Sequence, residues 1–138
     1  MQRAMDCCQG AAALNQDQLH ERLDKFLTYE KDWDSYGADP INPSIVARAH
    51  ALVDEYPTLF TFVAPICNGS VQLERNPERA TRTGTFFELE FTDDTNRFEL
   101  LAGRYTNDGF DVGIERDDVT IAEARNFLSE WAGGLALP

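Results

Sequence analysis

The chain has 138 residues, enough for one domain with a hydrophobic core and too few for two. Twelve Lys and Arg stand against 24 Asp and Glu, giving a formal charge of -12 and a pI of 4.4. This argues against a nucleic-acid backbone or an anionic membrane as direct partner, because the cations that would release phosphate counterions are missing. With 43% hydrophobic residues the chain is also too apolar for a disordered one.

Cys7, Cys8 and Cys67 are odd in number and two are adjacent, so they form no disulfide framework, and a reducing cytoplasm is the expected setting. Residues 1–13 have no apolar run fit for a signal peptide and read as a flexible tail before a single domain over residues 14–138. Cys7-Cys8 has no third or fourth ligand nearby, which favours the tail over a metal site. No stretch reaches the roughly 18 apolar residues that span a membrane.

Asn15 and Gln18 have capping-box spacing, and Leu19, Leu23, Phe26 and Leu27 then recur on one helical face, predicting a helix to Lys31. A turn-rich loop runs from Asp32 to Pro40. Asn42-Pro43-Ser44 opens a second helix with the stripe Ile45, Ala49, Leu52, Val53 and Tyr56, stopped by Pro57. The period then changes to two. Phe60, Phe62, Ala64 and Ile66 alternate. Asn68-Gly69 signals a hairpin, and Val71 and Leu73 follow it. After a polar loop, Arg75 to Gly84, come Phe87, Leu89 and Phe91. A turn at Asp93-Asp94-Thr95-Asn96 leads to Phe98, Leu100 and Ala102. A turn at Asn107-Asp108-Gly109 leads to Phe110, Val112 and Ile114. Thr120 and Glu123 cap a last helix that Gly133-Gly134 ends. The expected fold is α+β: two N-terminal helices, a five-stranded antiparallel meander, and a C-terminal helix packed on one sheet face. Pro65 cannot donate to a ladder, which places the first strand at an edge.

Trp33-Asp34-Ser35-Tyr36-Gly37-Ala38, followed by Pro40 and a helix, resembles the opening motif of a family of small bacterial and phage proteins. Their motif reads Trp-Asp-Gly-Tyr-Gly-Ala with a proline shortly after, and many continue with Gly-Gly-hydrophobic-Gln-Leu-Glu-Trp. Here that strand is Gly69-Ser70-Val71-Gln72-Leu73-Glu74-Arg75. Ser35 replaces a glycine and Arg75 a tryptophan. The resemblance covers residues 30–75. It implies a bacterial, phage or mobile-element origin and carries over no activity and no catalytic residue. On the residues alone, Trp33, Tyr36 and Gly37 fit either a helix-helix corner, with the rings laid over the junction, or an exposed recognition loop.

The phosphate loop, G-x-G-x-x-G, H-E-x-x-H, G-x-S-x-G and C-x-x-C are all missing. His20 and His50 each have an aspartate four residues on, Asp24 and Asp54, a spacing for contact within a helix. Two ligands do not make a metal site, and His20 is expected on the solvent side. Ser35, Ser70 and Ser129 have no base nearby in sequence, and Cys67 is expected as a small buried residue. No cofactor is expected.

Carboxylates are the surplus. Alternation places Glu74, Glu88, Glu90, Glu99, Asp111 and Glu115 on the outward rows of the meander, several within about 5–10 Å of each other. Such a face can be merely solvated, can dock a basic partner, or can supply paired carboxylates for Mg²⁺. The loop carrying Arg75, Arg79 and Arg82 reads as solvated and mobile or as a contact element. Arg outnumbers Lys ten to two, which suits bidentate pairing with carboxylates.

The expected function is a non-catalytic acidic interaction module that inhibits or sequesters a basic, nucleic-acid-handling protein. In a phage that means a counter-defence inhibitor such as an anti-CRISPR, and in a chromosome an antitoxin-like partner. A small Mg-dependent hydrolase or nuclease, and a homo-oligomeric module pairing through its edge strand or through Trp33 and Tyr36, are the alternatives. Direct nucleic-acid and membrane contacts are not expected, and the chain is expected as a monomer or homodimer.

Overall fold

The computed structural model describes residues 13–92 and 96–134. The expected tail, including Cys7 and Cys8, and the expected turn at Asp93 to Thr95 lie outside these, apart from Ala13 and Asn96. Among the described residues there are three helices, α1 (Gln16–Phe26), α2 (Pro43–Glu55) and α3 (Ile121–Ala132). There are five strands, β1 (Phe62–Pro65), β2 (Val71–Arg75), β3 (Thr85–Phe91), β4 (Arg97–Thr106) and β5 (Gly109–Thr120). The strands form one antiparallel sheet in the order β1-β2-β3-β4-β5, as the short connections require.

Both capping boxes form. Asn15 accepts from the Gln18 N–H and Thr120 from the Glu123 N–H, and each partner side chain accepts in return. The Thr120 N–H and Arg116 together draw the Glu123 carboxyl down to about 2. Helix α1 stops at Phe26, short of Lys31. Its cap N–H of Leu27 bonds Asp24 O, and the chain turns away with Asp32 at φ +69°. Leu27 is left exposed.

Register sorts the sheet faces. Val63, Leu73, Leu89 and Leu100 pair directly across four strands, and all four are buried in the core with Leu19, Leu23, Phe26 and Val53. Each fully buried Leu or Phe contributes about 2 kcal/mol. Phe87 meets Phe127 and Trp131 of α3 edge-on, at 5.2 and 5.0 Å. Tyr56 and Glu55 at the end of α2 bond Arg125 of α3.

The first strand inverts the expected parity. Val63 is the inward residue, so Phe62 and Ala64 share the outer face with Gln72 and Glu74. Phe62 is buried there because Arg22 and Arg79 cover its ring, at 4.5 and 5.6 Å. β1 is an edge strand, as Pro65 foretold, and the edge is occupied. The Arg22 Nε–H donates to Val63 O at 2.7 Å, and the Leu14 N–H to Thr61 O just before the strand. Such cover keeps an edge from pairing with another chain.

The loop from Asp32 to Pro40 is built on its aspartates. Asp32 Oδ1 accepts the Gly37 N–H, and Asp34 Oδ1 accepts those of Tyr36 and Ala38. The Trp33 indole donates to Asp39 O and its ring packs on Tyr29. The loop is sewn to the β1–β2 hairpin, since Asp39 N–H donates to Cys67 O and Asn42 N–H to Gly69 O. Gly69 lies at φ +92°, and a Cβ there would be 2.8 Å from Pro40 O, so close approach as well as the turn requires glycine. Cys67, expected buried, is exposed because it sits in that turn.

Ser35 lies at φ +68°, in the left-handed region, and is exposed. Ser35→Gly is therefore expected to stabilise the fold by roughly 0.5–1 kcal/mol, since relief of the Cβ strain exceeds the added unfolded-state entropy. Chemical denaturation at unchanged m-value checks this.

Candidate functional site: the acidic sheet face

The same register that faces leucines inward assembles carboxylates on the other side. Gln72 pairs with Glu90, and Glu90 with Glu99. One step along, Glu74 pairs with Glu88, Glu88 with Leu101, and Leu101 with Glu115. Directly opposed residues bring Cβ atoms to about 5 Å, where like charges destabilise a sheet. Glu88, Glu90, Glu99, Glu115 and Asp117 line one shallow depression of 170 Å³, where Arg116 is the one basic lining residue among the described residues. Arg116 is itself turned to Glu123 at 2.9 Å.

The acids are not equivalent. Glu88 and Glu90 are half-buried, Glu99 and Glu115 exposed. Partial burial, reinforced by Glu74 and Glu90, raises the Glu88 carboxyl above its ordinary 4.5, with Arg79 opposing. Glu90 is raised by its burial and by Glu99.

Two of the six expected acids depart from the open face. Glu74 is only 3% exposed. Its Oε1 takes the Arg79 guanidinium at 2.5 Å, and the Gln72 amide donates to its Oε2 at 3.2 Å. Glu74 is a buried acid paired within the fold. Asp111 pairs with Arg104 and so falls on the opposite face. The cause is a bulge: Ala102 pairs with Ile114 but Gly103 with Val112, leaving Gly113 as an extra residue that reverses the alternation beyond it. The same bulge turns Phe110 and Val112 outward, 47% and 50% exposed. Phe86 lies over Gly103, whose Cβ would meet its ring at 3.1 Å, and packs against Tyr105 at a tilt and Phe110 edge-on. The outer face thus carries acid at its centre and an aromatic cluster at the β4–β5 turn.

The arginines of the loop before β3 are held within the fold. The Arg75 guanidinium donates to Leu59 O at 2.7 Å, Arg79 holds Glu74, and Arg82 lies 5.5 Å over the Tyr105 ring. The loop folds back against the outer face. Of the aromatic motif, Trp33 is packed and bonded at the corner, whereas Tyr36 is 76% exposed. The sequence signal that could have found the bulge is Gly113 itself, an isolated glycine inside an otherwise regular alternation.

Among the described residues, no group of three or more His, Cys, Asp or Glu comes together as metal ligands, and no helix is long and apolar enough to cross a membrane. Protein-family models, curated proteins and solved structures give no match to this chain.

Glu88→Gln is expected to raise stability at pH 7 by up to about 1 kcal/mol. With the folded carboxyl raised, the unfolded chain ionises first as pH climbs through 4.5. Relative to the variant, the wild type therefore loses stability as pH rises, and the gap closes in acid. Denaturant titrations at several pH values test this. Arg79→Gln leaves Glu74 buried without its cation and is expected to cost about 2–3 kcal/mol, against under about 0.5 kcal/mol for Arg82→Gln.

Proposed function

We propose that the protein is a non-catalytic interaction module whose outer sheet face binds a basic protein surface. The observation that carries this reading is the direct opposition of Glu90 and Glu99 beside a half-buried Glu88. Solubility alone needs no such arrangement, because acids scattered over the helices would serve it at no cost. A cationic partner removes the cost by pairing the repelling carboxylates. The neighbouring Phe110 and Val112 offer apolar contact on the same face. With a formal charge of -12, association is steered and salt-sensitive.

The partner class that suits this face is a nucleic-acid-handling protein, whose own site is basic. The module acts in the cytoplasm, without a cofactor, by covering that site. A counter-defence inhibitor of the anti-CRISPR type and an antitoxin-like partner both fit this chemistry.

The test uses a labelled oligo-arginine peptide as probe, followed by fluorescence anisotropy at two salt concentrations. Glu88→Gln, Glu90→Gln and Glu99→Gln together are expected to weaken binding more than about tenfold. A control with the same charge change away from this face, Glu21→Gln on α1, Glu30→Gln in the connection after it and Glu130→Gln on α3, is expected to weaken it by less than about threefold. Equal losses in the two triples would mean that the face is only one part of a general negative field.

A further inference from the structure

The intrahelical pairs His20–Asp24 and His50–Asp54 do not form; the partners are exchanged between helices. His20 Nε2 is 2.8 Å from Asp54 Oδ1, and His50 Nε2 is 2.9 Å from Asp24 Oδ1. The two rings are 11° from parallel with centroids 4.8 Å apart, and their Nδ1 atoms are 2.6 Å apart. One hydrogen-bonded chain, Asp54–His20–His50–Asp24, therefore spans α1 and α2. The imidazoles are only 26% and 25% exposed, while both aspartates are 70% exposed.

Counting protons decides what this chain holds. An ionised carboxylate only accepts, so each Nε2 must carry a proton. If both rings were otherwise bare, two Nδ1 lone pairs would face each other at 2.6 Å. If both Nδ1 were protonated, two N–H groups would collide. A single proton between them makes one Nδ1 donor and the other acceptor, and every contact is satisfied. The complete chain carries three protons on four ring nitrogens, one positive charge between two carboxylates.

We infer that His20 and His50 form a proton-binding site that clasps α1 to α2 and is filled by one proton only. The ionisable groups facing it are Asp24 from α1 and Asp54 from α2. β1, beneath α1, has no ionisable side chain. On β2, beneath α2, Glu74 is held by Arg79, and Arg75 by Leu59 O. Removing the proton opposes two lone pairs and adding another opposes two N–H groups, so the clasp is strongest between these states. α1 also carries Arg22, which covers the β1 edge through Val63 O and Phe62. Opening the clasp loosens that cover and exposes the edge to a second strand.

Long-range ¹H–¹⁵N spectroscopy of the wild-type imidazoles, from about pH 5 to about pH 9, tests the site directly. The expected result is a coupled titration, with both Nε2 protonated and one far-downfield shared proton over the middle of the range. Two independent titrations with no shared proton would overturn the inference. In parallel, His20→Gln and His50→Gln are compared with wild type by thermal midpoint. The wild-type advantage is expected to reach about 2–4 °C in mid-range and to vanish at both ends. A difference that does not vary with pH counts against the clasp. Titration with Zn²⁺ supplies the last arm: a one-to-one complex that abolishes the shared-proton signal would make the pair metal ligands and overturn the proton assignment, whereas no such complex supports it.

Discussion

The row Val63, Leu73, Leu89 and Leu100 crosses four strands on the helix side, and much of the molecule follows from it. Side chains alternate strictly along a strand, so seating these residues in the core sends their neighbours to the other face. Glu74, Glu88, Glu90 and Glu99 have no third option. A register slip of one residue would bury the glutamates and expose the leucines, at a cost of many kcal/mol. The hydrophobic requirement is strong enough to hold like charges opposite one another.

The fold meets that repulsion unevenly. Where the face runs towards β1, Arg79 from the folded-back loop neutralises Glu74, and Arg22 and Arg79 cover Phe62. Towards β4 and β5 no such loop arrives among the described residues, and Glu88, Glu90, Glu99 and Glu115 share one depression. The acid left uncompensated there is the part that a cationic partner can use. The buried pair and the open depression are two outcomes of one pattern, separated by where the arginine loop lands.

The helical layer raises a similar question of pairing. Four ionisable side chains on α1 and α2 could be satisfied within each helix, yet they pair across the gap, where the imidazoles are largely shielded from solvent. The pairing binds α1 to α2, and α1 in turn brings Arg22 to the sheet edge. Edge protection and helix docking are thereby joined through one helix, on the far side of the sheet from the acidic depression.

Local chemistry was legible in the residues. The two capping boxes, Pro43 at a helix start, the Asn68-Gly69 turn and the period-two runs of β3 and β4 all depend on neighbours within a few positions, and these carried the α+β meander and its acidic face. What was not legible depends on contacts between distant segments. Glu74 and Glu88 read alike in sequence, and only the return of Arg79 makes one structural and leaves the other half-open. Asp111 left the face because one extra residue, Gly113, reversed the alternation; the glycine is visible in the letters, but its pairing with β4 is what makes it a bulge. The first strand took the opposite parity because two arginines, one on a helix and one in a loop, can cover Phe62 outside the core. His20 and His50 exchanged aspartates because the helix pair brings the rings to 2.6 Å, a distance that no spacing along either helix encodes. The sequence by itself determined which elements form and the acid they carry. The tertiary structure decided which charges meet, because ion pairs and shared protons are set by distances through space.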